Sequence, residues 1–511
     1  MEALLQYRKT TYRSEIPTTC TRKQGGWYQF KNGLDTNLKT GLKIEISEFP
    51  LMKIIYRKRE KTLKYFISIL LISAVLISII GLNKDFKNTI EYGTVDLRDR
   101  IVGARLLIEK QDPYFYHWKE GEPERFYNGW DNNSLPISRA QVTPAVLTFF
   151  SIFAGFSFKT IKIIWFLTQW SFLIGSIALL ANSTKCWLKS RIIWIFSLIV
   201  ISGSSFWRLH VERGQSYIFY IFLIALSYWI YNRNFKGNHI VSGFFIGLAI
   251  TTRPTYILMC IPILIYKKFK IMLGIISGTI IGILIPFVYG NFSIWKSYFT
   301  MSNIFANSFI NGPNVLSSGI VPDRVVEGLS NLKTMAPMHV SDTSVISVFK
   351  YILKIDLTWN SLIILLLLVL AIATIILIIF REGSNNIKLI FLIGLVLSLI
   401  AAFFLPAPRY SYQNVIWLLL FAVLIDYADP LKRLMNPLII ILIPGLFFSI
   451  AIYFAPRGTL FSDIVIPLYL IFITFYIIVQ NWINERKKYS LIKNNTNTDL
   501  RHSIKSFFKS R

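Results

Sequence analysis

The sequence predicts an all-α polytopic membrane protein, a bundle of about 11 to 13 transmembrane helices with further helices along its outer surface. Three observations lead there. Hydrophobic residues make up 53% of the 511-residue chain, at a mean hydropathy of +0.50, and they come in blocks of roughly 18 to 23, the length that spans a hydrocarbon core. The blocks are apolar on every side, as in LIILLLLVLAIATIILIIF at 362–380, whereas the strands of a membrane barrel would alternate. Charge is segregated as well: 55 Lys and Arg stand against 27 Asp and Glu, a formal +28, and the basic residues gather at the ends and in short loops. A soluble nucleic-acid binder is excluded, since it would concentrate basic charge on a folded surface. The partner implied is the lipid bilayer, with no nucleic acid.

Residues 1–63 are polar and basic and contain no apolar stretch that would serve as a signal sequence, so they read as a cytoplasmic N-terminal extension. Met52 opens MKIIYRKREKTLKYFISILL, a basic flank followed by a hydrophobic helix, and residues 1–51 are expected to be dispensable or to precede the true start. The membrane domain is placed at 64–483 and a basic cytoplasmic tail at 484–511. Its apolar segments fall near 64–82, 142–157, 160–182, 190–207, 215–232, 240–266, 271–290, 358–380, 388–405, 411–426, 437–454 and 463–483. Two of them are irregular: 142–157 is short for a span, and 240–266 is long and interrupted by Arg253-Pro254, which reads as two short helices. Cys20, Cys186 and Cys260 have no metal spacing and imply no disulfide framework.

Basic loops lie inside. Lys185, Lys189 and Arg191, then Arg233 and Lys236, then Lys267, Lys268 and Lys270, mark the cytoplasmic side, which leaves 83–141 and 291–357 as the long external loops. If 142–157 and both halves of 240–266 all crossed, the basic tail would end up outside. A re-entrant or interfacial 142–157 removes that conflict. The loop 83–141 carries nine Lys and Arg against ten Asp and Glu, more than a third of all the acids in the chain.

Within that loop, YGTVDLRDRIVGARLLIEKQDPY at 92–114 reads as a helix on the outer membrane surface. Leu97, Ile101, Ala104 and Ile108 share one face, and Asp112-Pro113 supplies a stop. Asp96 and Asp99 are three apart and so share a face, Arg100 is placed to pair with Asp96, and Gly103 leaves that face open. The plain reading of Asp96 is a first-turn acid stabilised by the helix dipole. A functional reading gains because carboxylates are costly at a lipid surface unless they point into a water-filled cavity.

VDLRDRIVGARLLIEKQDPY resembles the first external loop of GT-C type membrane glycosyltransferases, in particular glycosyltransferase family 87, which includes polyprenyl-phosphate-mannose-dependent mannosyltransferases. The family usually has an aromatic where Asp99 stands and Gly where Lys110 stands. TPAVLTFF at 143–150 is similar to its Pro-containing helix start, the stretch 213–265 to its Gly-Gln helix followed by a Lys/Arg-Pro break, and APRYSYQN at 407–414 to an external Arg-x-x-Tyr segment. A His that members often carry in that last segment is missing here.

The resemblance implies a GT-C-like bundle in which Asp96 is the general base that deprotonates the acceptor hydroxyl, with Asp99 as secondary candidate. It further implies a polyprenyl-phosphate sugar donor, mannose foremost, a glycolipid or glycan acceptor, and a bacterial inner membrane with the active site facing outward. The chemistry is coherent in itself. A sugar leaving a lipid phosphate departs as a stable phosphate, so the site needs one carboxylate on the acceptor and positive charge on the phosphate. Arg suits that charge because its fork binds two oxygens. Arg208, Arg213, Arg253 and Arg409 are the candidates near the outer face, and Arg253 sits at a turn that reaches toward the outer leaflet. For each, the alternative is an interfacial anchor. Gln215, Tyr412 and His210 complete the candidates. No cofactor is implied, and no divalent-metal site has recognisable spacing. The competing functions are a transporter or flippase of lipid-linked sugars, for which the sequence shows a broken helix but no internal repeat, and a non-catalytic assembly subunit.

Overall fold

The structure, a computed structural model, describes residues 50–91, 94–129, 131, 135–311, 344–379, 387–407 and 409–427, with isolated positions 471, 475, 476, 479 and 483. Among these the chain is mostly helical and contains no strand. The helices are α1 (Pro50–Glu91), α2 (Val95–Ile108), α3 (Pro144–Ser151), α4 (Phe158–Ser183), α5 (Trp187–Phe196), α6 (Ser205–Arg213), α7 (Tyr217–Tyr231), α8 (Asn238–Thr252), α9 (Cys260–Ile265), α10 (Phe269–Leu284), α11 (Ile294–Asn311), α12 (Val345–Val348), α13 (Trp359–Ile379), α14 (Ile387–Phe404) and α15 (Trp417–Tyr427).

Five helices are long and apolar enough to cross a membrane: Lys61–Glu91, Phe158–Ser183, Phe269–Tyr289, Trp359–Ile378 and Ile387–Phe404. A sixth is formed if Trp187–Ile201 and Phe206–Arg213 make one bent span. The larger expected count is not reached by these. The helices Tyr217–Tyr231, Asn238–Thr252, Pro254–Ile265 and Ser411–Tyr427 are apolar but shorter, and the segments 437–454 and 463–483, like the tail 484–511 and residues 1–49, lie outside the described residues apart from isolated positions. α13 exposes Ile364, Leu367, Leu368, Ile372 and Ile375, the surface of a helix solvated by lipid. The expected boundary at residue 63 falls inside α1, which runs unbroken from Pro50 to Glu91.

The segment 142–157 contains no helix long enough to cross a membrane. Its helix, α3, has only 8 residues, about 12 Å of rise against a hydrocarbon core of about 30 Å. Both flanks are tied to the same region, since the Val142 carbonyl accepts from the Tyr114 hydroxyl at 2.8 Å and the Ala154 and Phe156 carbonyls accept from Arg105 at 3.0 and 2.8 Å.

The segment 240–266 does break at Arg253-Pro254, where α8 gives way to a 3-10 turn, Pro254–Met259, and then α9. Its geometry follows from glycines. A Cβ on Gly243 would run into the Ile271 carbonyl, one on Gly247 into that of Ile275, and one on Gly278 into that of Phe244. Increasing position on α8 meets increasing position on α10, so the two helices run parallel with their backbones in contact. Small residues at four-residue spacing permit that approach in a lipid setting, where packing rather than hydrophobicity drives association. Because α8 and α10 point the same way, Pro254–Tyr266 must bring the chain back, and Arg253 is left at the reversal.

Between α5 and α6 the axis bends by 67°. The cause is local: a π turn at Ser197–Ile201 is followed by Gly203, the Ser202 hydroxyl bonds the Leu198 carbonyl, and Ser204 caps the new helix by accepting from the Trp207 N–H at 3.1 Å. α1 packs into this elbow through Ser78, whose hydroxyl lies 2.7 Å from that of Ser202. The elbow aims α6 at α2.

α2 departs from expectation. It does not lie on the surface with an apolar face in lipid and a charged face in water, because Arg98, Asp99, Arg100 and Arg105 are buried together with its apolar residues. Each charge is instead put to use: Arg98 donates to the Tyr127 carbonyl at 3.0 and 2.7 Å and lies over the Phe158 ring, and Arg105 donates to Arg125, Ala154 and Phe156 carbonyls. Buried guanidinium groups need such partners. At Gly103 Leu147 of α3 and Ala140 close in on the space a Cβ would take, and the residue lines only a small cleft beside Asp99.

Candidate active site

The site is built where α6 ends against the first turn of α2. α6 terminates at Gly214 in the left-handed region, with φ 69°, a conformation that glycine adopts freely. A side chain there would also collide with α2, as a Cβ would stand 2.5 Å from the Leu97 Cβ. Gly214 thus lets two helix ends meet, and its carbonyl accepts from the Trp165 indole at 3.1 Å and from Arg100 at 3.2 Å.

The meeting places Asp96 against Arg213 in a two-pronged ion pair, Nε to Oδ2 at 2.6 Å and Nη2 to Oδ1 at 3.1 Å. The Gln215 amide also donates to Oδ2, while its own oxygen accepts from Arg100 at 2.7 Å. Arg100 does not pair with the Asp96 side chain as its spacing suggested; it binds the Asp96 backbone carbonyl. Burial pushes the Asp96 carboxyl up, but the Arg213 guanidinium outweighs it and holds the group below its usual value. Asp99, one turn on, behaves oppositely. Burial raises it to about 6 against the counter-pull of Arg139, and the neighbouring charge of Asp96 adds to the rise. Its oxygens meet Asn128 at 2.7 Å and Arg139 at 3.5 Å.

From Arg213 a layer of tyrosines leads to a second cationic group. Arg213 lies 5.9 and 5.8 Å from the ring centres of Tyr410 and Tyr412, Tyr412 is 5.6 Å from Tyr217, and Tyr217 carries the Arg253 guanidinium 5.0 Å over its ring. Arg253 is surrounded by Tyr217, Tyr220, Tyr256 and Tyr298, and among the described residues no carboxylate reaches it. Arg253 and Arg409 line one narrow open cleft, together with Tyr217, Thr255, Ser398 and Gln413. Arg409 is buried, stacked 4.3 Å over Phe403 and bonded to Asn414 at 2.6 Å. Two cations on a cleft walled by phenols and aliphatic carbons have the chemistry to attract an amphiphilic anion.

The profile of Glycosyltransferase family 87 matches residues 143–406, more than half of the chain. The chain belongs to glycosyltransferase family 87. Its assignment as an integral-membrane glycosyltransferase takes the place of the transporter reading. No individual curated protein matches the chain. Within this family 87 member, Arg208, Arg213, Gln215 and Arg253 lie inside the matched stretch, and Asp96, Asp99, Arg409 and Tyr412 lie outside it.

Of the residues singled out from sequence, Asp96, Arg213, Gln215, Tyr412, Arg253 and Arg409 come together as described. Arg208 does not join them: it faces α1, with Nε 3.6 Å from Asp85. His210 is fully buried, its ring stacked on Trp207 and its Nε2 accepting from the Ile218 N–H at 3.3 Å, which ties the end of α6 to the start of α7. Sequence reasoning did not reach Asn128, Arg139 or Trp165, which lie far along the chain from Asp96. It also gave Arg213 to a phosphate, whereas here the side chain is committed to a carboxylate. No group of three or more metal-ligating side chains occurs among the described residues.

Proposed function

We propose that this family 87 member is an inverting glycosyltransferase that moves a hexose or pentose, mannose foremost, from a polyprenyl-phosphate sugar to an envelope glycolipid or glycan. The reaction is placed on the outer side of a bacterial inner membrane. Arg253 and Arg409 bind the donor phosphate in their cleft, and its prenyl chain runs along the neighbouring lipid-facing helices. The acceptor oxygen attacks the anomeric carbon opposite the phosphate, the bond from that carbon to the phosphate oxygen breaks with its electron pair on the phosphate, and Asp96 takes the hydroxyl proton. One inversion results. Arg213 and Gln215 keep Asp96 ionised and aimed. A carboxylate so held is a weak base, so it takes the proton late, when the attacking oxygen has gained positive charge and its proton has become acidic.

The observation that carries this reading is the convergence of the Asp96–Arg213 pair and the Arg253–Arg409 cleft on either side of the Tyr217 and Tyr412 rings. The test is transfer in membranes supplied with a polyprenyl-phosphate sugar. Asp96→Asn should lose transfer by at least about a thousandfold while the protein is made at its normal level. Arg253→Ala should raise the donor KM and leave the acceptor KM unchanged. Full activity of Asp96→Asn would sink the base assignment, and an unchanged donor KM in Arg253→Ala would remove that residue from the phosphate.

A further inference from the structure

α1 carries a buried stripe that the transfer chemistry does not use. Ala74, Ser78, Gly81, Asp85 and Thr89 are buried at helical spacing along one face, whereas Leu82, Phe86 and Ile90 are exposed on the other side. The stripe starts against the elbow, where Ser78 meets Ser202 and a Cβ on Gly81 would stand 3.0 Å from the Ser202 carbonyl oxygen. It ends on charge. Asp85 belongs to the membrane-length helix Lys61–Glu91 and is only 1% exposed, and a carboxylate in such a helix is costly and marks a task. Its partner is Arg208 of α6, with Nε 3.6 Å from Oδ1. One turn on, the Asn88 amide donates to the Glu212 carboxylate at 3.3 Å. Arg208 and Glu212 are four apart on one face of α6, and both are buried.

α6 needs such a hold. It has 9 residues between two joints, the π turn with Gly203 on one side and the left-handed Gly214 on the other, so the chain itself leaves its rotation undetermined. Rotation decides where Arg213 points. A turn of about 20° moves a Cα by about 0.8 Å at the backbone radius of about 2.3 Å, and moves the Arg213 guanidinium, farther from the axis, by more. Both prongs of the Asp96 pair would lengthen. α2, which carries Asp96, begins just three residues beyond the end of α1. α1 therefore mounts both members of the pair, Asp96 through the chain and Arg213 through Asp85 and Asn88. Aromatic contacts also hold α6, Trp207 on Trp170 and Phe206 on Trp417. A buried ion pair adds little net stability to these, because desolvation offsets its attraction, and its best-attested use is to fix one register.

We infer that Asp85 and Arg208 are positioning residues for the transfer reaction: their buried pair sets the rotation of α6, so that Arg213 meets Asp96. The inference rests on Asp96 being the base and adds what aims it.

The test is a double variant, Asp85→Leu with Arg208→Met, which removes both charges at similar volume and leaves neither orphaned. The full chain in detergent should melt no lower than the wild type. In the membrane transfer assay its kcat should fall about a hundredfold, with donor and acceptor KM unchanged. The groups around Asp96 are Arg213 and His210 of α6 and Arg100, Arg139, Asp99 and Tyr412 of other elements. Only α6 turns in the variant, so Asp96 loses the Arg213 guanidinium, burial raises its carboxyl, and the acid limb of the kcat/KM profile should move to higher pH. Asp85→Asn, a milder change, should move that limb the same way, and Arg208→Lys, which keeps a cation opposite Asp85, should retain most of the rate. An unchanged kcat per folded molecule, or an acid limb that stays in place, overturns the inference whatever the melting point does. A double-mutant cycle of Asp96→Asn and Arg213→Gln, read by melting temperature, needs no sugar transfer. The two changes should be coupled in the wild type and nearly additive in the Asp85→Leu, Arg208→Met background. Coupling that survives there overturns the positioning role; coupling lost there in a chain that transfers no sugar keeps that role and overturns the transfer reaction.

Discussion

Gly214→Ala tests the central geometric argument. Two separate penalties meet at this residue. An alanine at φ 69° costs about 1 to 2 kcal/mol from its own backbone, and its Cβ would lie 2.5 Å from the Leu97 Cβ, where carbon atoms in contact keep about 3.5 to 4.0 Å apart. Relief requires α2 to withdraw from α6 by about 1 Å, which lengthens both prongs of the Asp96–Arg213 pair and frees Gln215. Displacement of a catalytic group by about 1 Å costs on the order of a hundredfold in rate. The assay is sugar transfer in membranes containing matched amounts of protein, with a thermal melt of the purified chain alongside. Gly214→Asn is the discriminating partner, since asparagine tolerates the left-handed region but still carries a Cβ. If close approach governs the site, both variants lose transfer. A wild-type rate in Gly214→Ala, or its restoration in Gly214→Asn, would refute the reasoning.

Asp99 predicts a pH effect on stability. Its folded value of about 6 lies above the usual 3.8, so the folded protein holds this proton more tightly than the unfolded chain. The resulting stabilisation is complete below about 3.8 and is lost as pH rises through about 6; Asp99→Asn should flatten the melting-temperature profile in that window, and an unchanged profile would contradict the assignment. Gly278→Leu forces a side chain into the Phe244 carbonyl and should destabilise by about 3 kcal/mol or more, read as loss of folded protein in a detergent melt. Lys110 takes φ 61° at the end of α2, so Lys110→Gly should raise stability by about 1 kcal/mol with transfer unchanged, and a lower melting temperature would count against that account.

Much of the fold was legible where one segment determines its own structure. The break at Arg253-Pro254, the helix within 92–114 and the apolar blocks 160–182, 271–290, 358–380 and 388–405 appear where composition and punctuation place them. The Gly expected at position 110 has its physical reason in the left-handed cap that Lys110 occupies. What escaped depends on the relation between segments. The contact of α8 and α10 could have been found from glycines four apart at 243 and 247 and at 274, 278 and 282. The burial of α2 could not, because its arginines look like surface charges until the carbonyls of Tyr127, Ala154 and Phe156 are brought over them. Arg213 illustrates the same limit: its cationic character was readable, its carboxylate partner 117 positions away was not.

The parallel pairing of α8 with α10 also makes one wall of the Arg253–Arg409 cleft rigid. Arg253 follows a helix whose backbone rests directly on that of its neighbour, with no side chains between them to repack. That wall is an anvil. The opposite wall, which carries Arg409 and Ser398, rests on the segment after Arg253 through Gly394, where a Cβ would stand 3.2 Å from the Met259 Cα. The spacing of the two guanidinium groups is thus held by close packing on both sides and is set before any ligand arrives.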